Sequence, residues 1–215
     1  MSAHAVTTPQ LYVKESARSI ALRTRGHSHG GVSRLVSPGD IGELIKPFVF
    51  LDYFDADPEN APSFGFHPHS GIATLTLILS GQAFYKETTD RQGVIETGGV
   101  EWMRASSGVW HTGGMYGKER IKGFQLWVAM PPALELAEPN SQYLGVFEEG
   151  DQAIQFEALT DAGFVLGSAV KHPYDLVTGH YSVHTNAEAL RIGENNIAEI
   201  GRRLHNQGVL RRPGR

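Results

Sequence analysis

Residues 64–87 read FGFHPHSGIATLTLILSGQAFYKE, and the reading of this stretch decides the fold class. Its middle, Ile72 to Leu79, is β-branched and aliphatic with little helical periodicity, which predicts a strand. Ser80-Gly81 stops that strand before Gln82 to Glu87, and the pair reads as a hairpin. Working outward, the polar segment 88–93 leads to VIE, Gly98-Gly99 turns the chain, VEWMR follows, and Ser106-Ser107-Gly108 precedes VWH. Strand and turn signals then continue through IKGFQLWVAM at 121–130 and end at Pro131-Pro132. A strand every eight to twelve residues or so implies an all-β sandwich or barrel and excludes βαβ units. No helix of about ten residues fits before position 133.

Composition narrows the function classes. The chain has 215 residues, 40% of them hydrophobic, enough for a sizeable core, with 25 Gly and 11 Pro favouring turns over long helices. The net charge of −4 supplies no basic surface for nucleic acid, so no direct nucleic-acid partner is expected. Without cysteine there is no disulfide framework, no thiolate metal site and no Cys nucleophile, so any metal must be held by His, Asp or Glu. No signal-peptide pattern and no apolar run of about 18 residues is present, so a soluble, cytoplasmic protein without a membrane partner is expected.

The last forty or so residues change period. Leu190, Ile197, Ile200 and Leu204 share one helical face in a helix predicted over about 186–207, with Thr185 and Glu188 as a capping box and Gly208 as the left-handed cap. Before it, LELAEPNSQYL reads as a connector, and VFEEGDQAIQFEA with FVLGSAV as two or three further strands.

Ten histidines are the chain's chemical resource. His67 and His69 stand at i and i+2 and can aim two imidazoles the same way from an extended strand. His111, in GVWHTGG, has glycines on both sides that permit the backbone to bring a third imidazole against them. Three neutral imidazoles satisfy a divalent ion such as Fe(II), Zn, Ni, Cu or Mn and leave positions open for water, oxygen or substrate. An HxH pair alone is more often an ordinary pair of loop or strand histidines, and the glycine-bracketed third His raises the metal reading. His27 and His29 read as a polar loop beside a strand, and His180 and His184 as the segment feeding the final helix. Phe64, Phe66, Trp110 and Trp127 read as core aromatics; Phe66, Trp110 and Trp127 become substrate-pocket walls where they lie near the metal. The terminal RRPGR reads as a solvated tail.

PFVFLDYFDA, FGFHPHSGIATLTLILSGQAFYKE, GGVEWMRASSGVWHTGG and GFQLWVAMPP, in this order, resemble the N-terminal cupin of the pirin family over roughly residues 15–145. The resemblance implies a cupin-type antiparallel β-barrel, the double-stranded β-helix or jelly roll, in a family of bicupins with one metal, commonly iron, in the N-terminal barrel. It implies the ligands His67, His69 and His111. It also implies activity like that of bacterial flavonol (quercetin 2,3-) dioxygenases, or a metal-dependent regulatory role such as that of a mammalian member. Gly113 stands where many pirins have a ligand Glu, and Ala73 or Thr74 where a second carboxylate of the first cupin motif would fall. A three-His site, known from cupin thiol dioxygenases, is then the nearest precedent.

Residues 146–215 resemble the end of a second cupin whose beginning is missing, together with the terminal helix. Strands without partners favour a homodimer. Three functions stand: an O2-dependent dioxygenase acting on a flavonol-like or other enolic or phenolic small molecule; a non-enzymatic metal-dependent regulatory or interaction protein; and a degenerate cupin without metal. No catalytic residue is assigned. Glu101 is the acidic candidate for a general base, but beside Trp102 it is expected to face solvent.

Overall fold

The computed structural model describes residues 21–59, 61, 63–139 and 169–210. The strands expected between 146 and 168, and the RRPGR tail, lie outside the described residues. The described residues from 24 onward form one compact unit.

In chain order the elements are β1 His27–His29, β2 Val32–Val36, α1 Ile41–Ile45, β3 Phe48–Ala56, β4 Ser63–His69, β5 Ile72–Ser80, β6 Gln82–Glu87 and β7 Gln92–Ile95. They continue with β8 Val100–Arg104, β9 Val109–Tyr116, β10 Ile121–Ala129, α2 Pro132–Glu135, β11 Val177–Thr178, β12 Val183–His184 and α3 Ala187–Asn206. The protein is all-β and cupin-type. A six-stranded sheet ordered β1-β2-β3-β10-β5-β8 faces a four-stranded sheet ordered β4-β9-β6-β7, and β11 pairs only with β12. All strand pairs are antiparallel, and the two sheets stay separate where a closed barrel was expected.

The chain changes sheet at nearly every turn from β3 to β10. This overturns the hairpin at Ser80-Gly81: β5 pairs with β10 and β8, whereas β6 pairs with β9 and β7. Gly81, at φ +75°, turns the chain into the facing sheet, and a Cβ there would stand 2.7 Å from the carbonyl oxygen of Arg120. β5 has strand partners on both sides, and Ile72, Thr74, Thr76 and Ile78 are buried on the face toward the other sheet while Leu79 on the opposite face is exposed.

Apolar side chains close the space between the sheets. Ala56, Ile78, Ala83, Ile95 and Ile121 form one buried cluster, and Val49, Ile72, Ala129 and Val183 another. Val183 belongs to β12, so the C-terminal segment helps complete the core.

The terminal helix forms with its end points within a residue of those expected. Its cap differs: the Asn186 side chain accepts a hydrogen bond from the Ala189 amide at 2.9 Å, while the Thr185 hydroxyl is engaged by Glu135. The other end is a Schellman motif, with the Gly208 amide donating to the His205 carbonyl and the Val209 amide to that of Leu204. The buried face is Ala189, Gly193, Ile197 and Leu204, rotated from the face expected; Leu190 and Ile200 are only partly covered. Small residues bring the helix close, since a Cβ on Gly201 would lie 2.7 Å from the Trp110 ring.

Candidate metal centre

β4 is the edge strand of the four-stranded sheet, where the missing N–H of Pro68 is tolerated. Extended backbone sends His67 and His69 to the same side, and the pairing register sets His111 of β9 directly opposite His67. The ligand nitrogens of His67, His69 and His111 all lie within 4.8 Å of one another. Among the described residues this is the group of His, Asp or Glu side chains that could share one ion.

The hydrogen bonds orient each ring. His67 Nδ1 stands 2.8 Å from the Gly65 carbonyl oxygen and His69 Nδ1 3.0 Å from that of Tyr181. A carbonyl only accepts, so both Nδ1 atoms carry the proton and both Nε2 atoms present lone pairs. The Nε2 atoms of His67 and His111 face each other at 2.9 Å. Two imidazoles bound at right angles to one ion, each at about 2.1 Å, would stand ~3.0 Å apart. His69 Nε2 is buried without a hydrogen-bond partner among the described residues, the condition of a ligand atom. The donor set therefore fits a divalent metal.

Electrostatics keep the rings neutral. Burial lowers the His69 pKa to about 3, helped by neighbouring His67 and opposed by the Tyr181 hydrogen bond. Burial and the two other imidazoles hold His111 well below its ordinary value, and burial lowers His67 against the Gly65 bond.

The three rings open onto a cavity of about 610 Å³ between the sheets. Phe66 and Trp127 line it, with Trp127 stacked on Phe50 at 4.0 Å and meeting His69 edge-on at 4.7 Å. Trp110, expected as a wall, points away: it alternates with His111 on β9, and its indole N–H donates to the Ile197 carbonyl of α3 at 2.6 Å. His27 and His29 lie exposed on β1, the edge strand of the six-stranded sheet, whereas the three imidazoles come from β4 and β9 of the other sheet. Gly113, two residues beyond His111, also lines the cavity, and a Cβ there would meet only the Phe84 carbonyl oxygen, at 3.1 Å.

Sequence reasoning missed two features. His180 and Tyr181, from the turn between β11 and β12, line the cavity. Glu101 also lines it, correcting the expectation that it faces solvent: Met103, two residues on, is fully buried, so the inward parity of β8 belongs to 101 and 103 and not to Trp102. Thr76 donates a hydrogen bond to Glu101 Oε2 at 3.0 Å, and Oε1 is buried without a partner among the described residues. Burial pushes the Glu101 carboxyl up to about 7, with the Thr76 bond opposing and the charge of Glu87 adding.

The fold is a cupin-type pair of antiparallel sheets enclosing three convergent imidazoles that could hold an ion. Residues 23–128 match the family model for Pirin, and over that stretch the chain is similar to pirin-family cupins. A pirin-like protein of Caulobacter vibrioides is 41% identical over 103 residues, covering 46% of this chain and 37% of that protein. A Pseudomonas aeruginosa protein named "Putative quercetin 2,3-dioxygenase PA3240" is 37% identical over 119 residues, 52% of this chain and 42% of its own length. Among solved structures, a quercetin 2,3-dioxygenase from Acinetobacter baumannii aligns with a TM-score of 0.48 at 28% identity, over 55% of this chain and 46% of that one. The chain thus spans well under half the length of these curated relatives. No helix among the described residues is long and apolar enough to cross a membrane.

Proposed function

We propose that the chain is a metal-dependent dioxygenase that acts on a flavonol-like or other enolic or phenolic compound. The observation that carries this reading is the convergence of His67, His69 and His111, all neutral, on the wall of a cavity that Phe66 and Trp127 also line. The pirin match and the Pseudomonas relative support it. A bound divalent ion, Fe(II) by preference, would supply Lewis acidity and a site for O2.

The chain's own residues supply the rest. Held by His67, His69 and His111, all neutral, a divalent ion would keep its charge uncancelled and would favour an ionised ligand hydroxyl. Trp127 and Phe66 offer apolar faces that hold a planar ring and keep water from it. The carbonyls of Gly65 and Tyr181 fix the tautomers of His67 and His69, so neither ring must reorient as the ion binds.

The test is metal analysis of protein purified without a metal-affinity tag, followed by aerobic assay with quercetin. Stoichiometric metal, lost on His69→Ala, with decay of quercetin absorbance and O2 uptake, is the expected result. Metal without turnover would move the chain to the regulatory reading, and no metal would end both.

A further inference from the structure

One polar row crosses the six-stranded sheet beneath the histidines. Strand register places Arg34 opposite Asp52, Asp52 opposite Gln125, Gln125 opposite Thr76 and Thr76 opposite Glu101, and all five residues line the cavity. At one end Arg34 holds Asp52 through both carboxylate oxygens and lies over the Phe50 ring. At the other, Glu101 has Thr76 on Oε2 and nothing on Oε1, and no ion pair involves it among the described residues. Trp127 Nε1, in the next row, is likewise a buried donor without a partner. The floor therefore presents one unpaired carboxylate oxygen and one unpaired N–H to whatever lies beneath the imidazoles, and such atoms call for a ligand with a hydroxyl and an acceptor on one edge.

We infer that Glu101 is the proton acceptor of the cavity: it takes the hydroxyl proton of an enolic or phenolic ligand held between Trp127 and the three imidazoles. The ligand O–H bond breaks, a Glu101 O–H bond forms, and the electron pair stays on the ligand oxygen, which becomes the anionic donor the imidazole site requires. Where the family resemblance implies a carboxylate at 113, on the histidine side, this chain has glycine; its unpaired carboxylate comes from the opposite sheet. Asp52 cannot serve, because Arg34 occupies both of its oxygens. The inference rests on the dioxygenase reading for its ligand class and on the floor geometry for its residue.

The groups that set the behaviour of Glu101 are few. Thr76 on β5 favours the ionised form, and Glu87 on β6 opposes it. The Asp52–Arg34 pair, the imidazoles of His67, His69, His111 and His180, and the phenols of Tyr85 and Tyr181 line the same cavity. A carboxyl poised near neutrality is matched to accepting a proton from a phenol at cellular pH.

The experiment uses redox-inert Zn(II) and 4-nitrocatechol as probe, with the zinc content of each protein measured first. Proton release on binding is measured calorimetrically in buffers of different ionisation enthalpy. At pH 8 the wild type should release about one proton fewer than Glu101→Gln, because Glu101 keeps it; at pH 5.5 the difference should vanish, Glu101 being already protonated. Equal proton release at pH 8, or a zinc-loaded wild type that does not bind the probe, overturns the inference. Should the wild type take up no zinc, the metal reading fails separately. Infrared difference spectra of metal-free wild type against Glu101→Gln then decide: a protonated carboxyl C=O band that disappears near pH 7 supports the inference, and its absence at pH 6 overturns it. Thr76→Val, which removes the bond favouring the carboxylate, should move the titration upward and serves if the Gln variant fails to fold.

Discussion

His69 Nδ1 donates to the carbonyl oxygen of Tyr181, 112 residues away in the sequence, at 3.0 Å. A candidate ligand ring from the N-terminal part is thus aimed by a backbone atom of the C-terminal segment. A companion contact follows one residue later, where the Ser70 hydroxyl meets Ser182 at 2.8 Å and His184 Nε2 at 3.0 Å. Gly71, at φ +74°, lets the two segments touch, since a Cβ there would fall 1.9 Å from the Val183 carbonyl oxygen.

The first expected outcome concerns these outer supports. Tyr181→Pro, at a site where the carbonyl must hold its direction, should lower metal affinity by about 10–100-fold through misorientation of His69. His69→Ala should abolish stoichiometric binding, and His27→Ala should leave it unchanged. Metal titration of the three variants checks this.

Gly113→Glu should strengthen metal binding. The position shares the face of β9 with His111, borders the cavity, and asks only the Phe84 carbonyl to yield by a few tenths of an ångström. A fourth, anionic donor should raise affinity for a divalent ion by at least about tenfold. Competition against a chelator reads the change, and an unaltered affinity would show that the new carboxylate cannot reach the imidazoles.

Glu135→Ala should destabilise the fold by about 3 kcal/mol or more. The carboxylate is buried and accepts from the Thr185 amide at 2.8 Å, the Thr185 hydroxyl at 2.7 Å and His184 Nδ1 at 3.2 Å, so its loss strands three donors. Denaturant unfolding measures it.

Gly193→Ala tests close packing of α3 against the site's foundations. Alanine gains about 1 kcal/mol of helix propensity. Its Cβ would stand 2.5 Å from His184 Nε2 and 2.6 Å from Ser70 Oγ, both fully buried, so overpacking of about 1–3 kcal/mol should win. A higher melting temperature for the variant would refute this.

The metal-free protein should show opposing pH trends. The lowered imidazoles bind fewer protons folded than unfolded, so their contribution is complete above about pH 6.5 and is lost as pH falls through the folded values, toward 3 for His69. Glu101 acts in the opposite sense: its raised carboxyl contributes below the unfolded value near 4.5, and that contribution is lost as pH rises through about 7. Glu101→Gln should therefore gain on the wild type above pH 7, by about 1–3 kcal/mol given the water within reach of the cavity. Urea titrations from pH 5 to 8 compare them.

The strands and the HxH pair are legible in the sequence because each depends on local pattern. What stays hidden depends on partners. IATLTLIL announces a buried strand but not that its successor joins the other sheet, since a turn glycine serves either path. The size of Trp102 disguises the parity of β8, which fully buried Met103 sets. Thr185 makes a good cap on paper, yet Glu135, fifty residues earlier, claims its hydroxyl. Gly193 and Gly201 carry no apolar signal, although closeness to Ser70 and Trp110 is their contribution to the helix face.

The polar row from Arg34 to Glu101 also bears on how this gene can change. Its alignment depends on the pairing of five strands, and a single inserted or deleted residue inside β3, β10 or β5 would send every later side chain of that strand to the opposite face. Length changes are therefore confined to the connections, such as the turn at 88–91. Divergence among descendants of this chain should thus leave the floor strands constant in length, with insertions gathered at the rims.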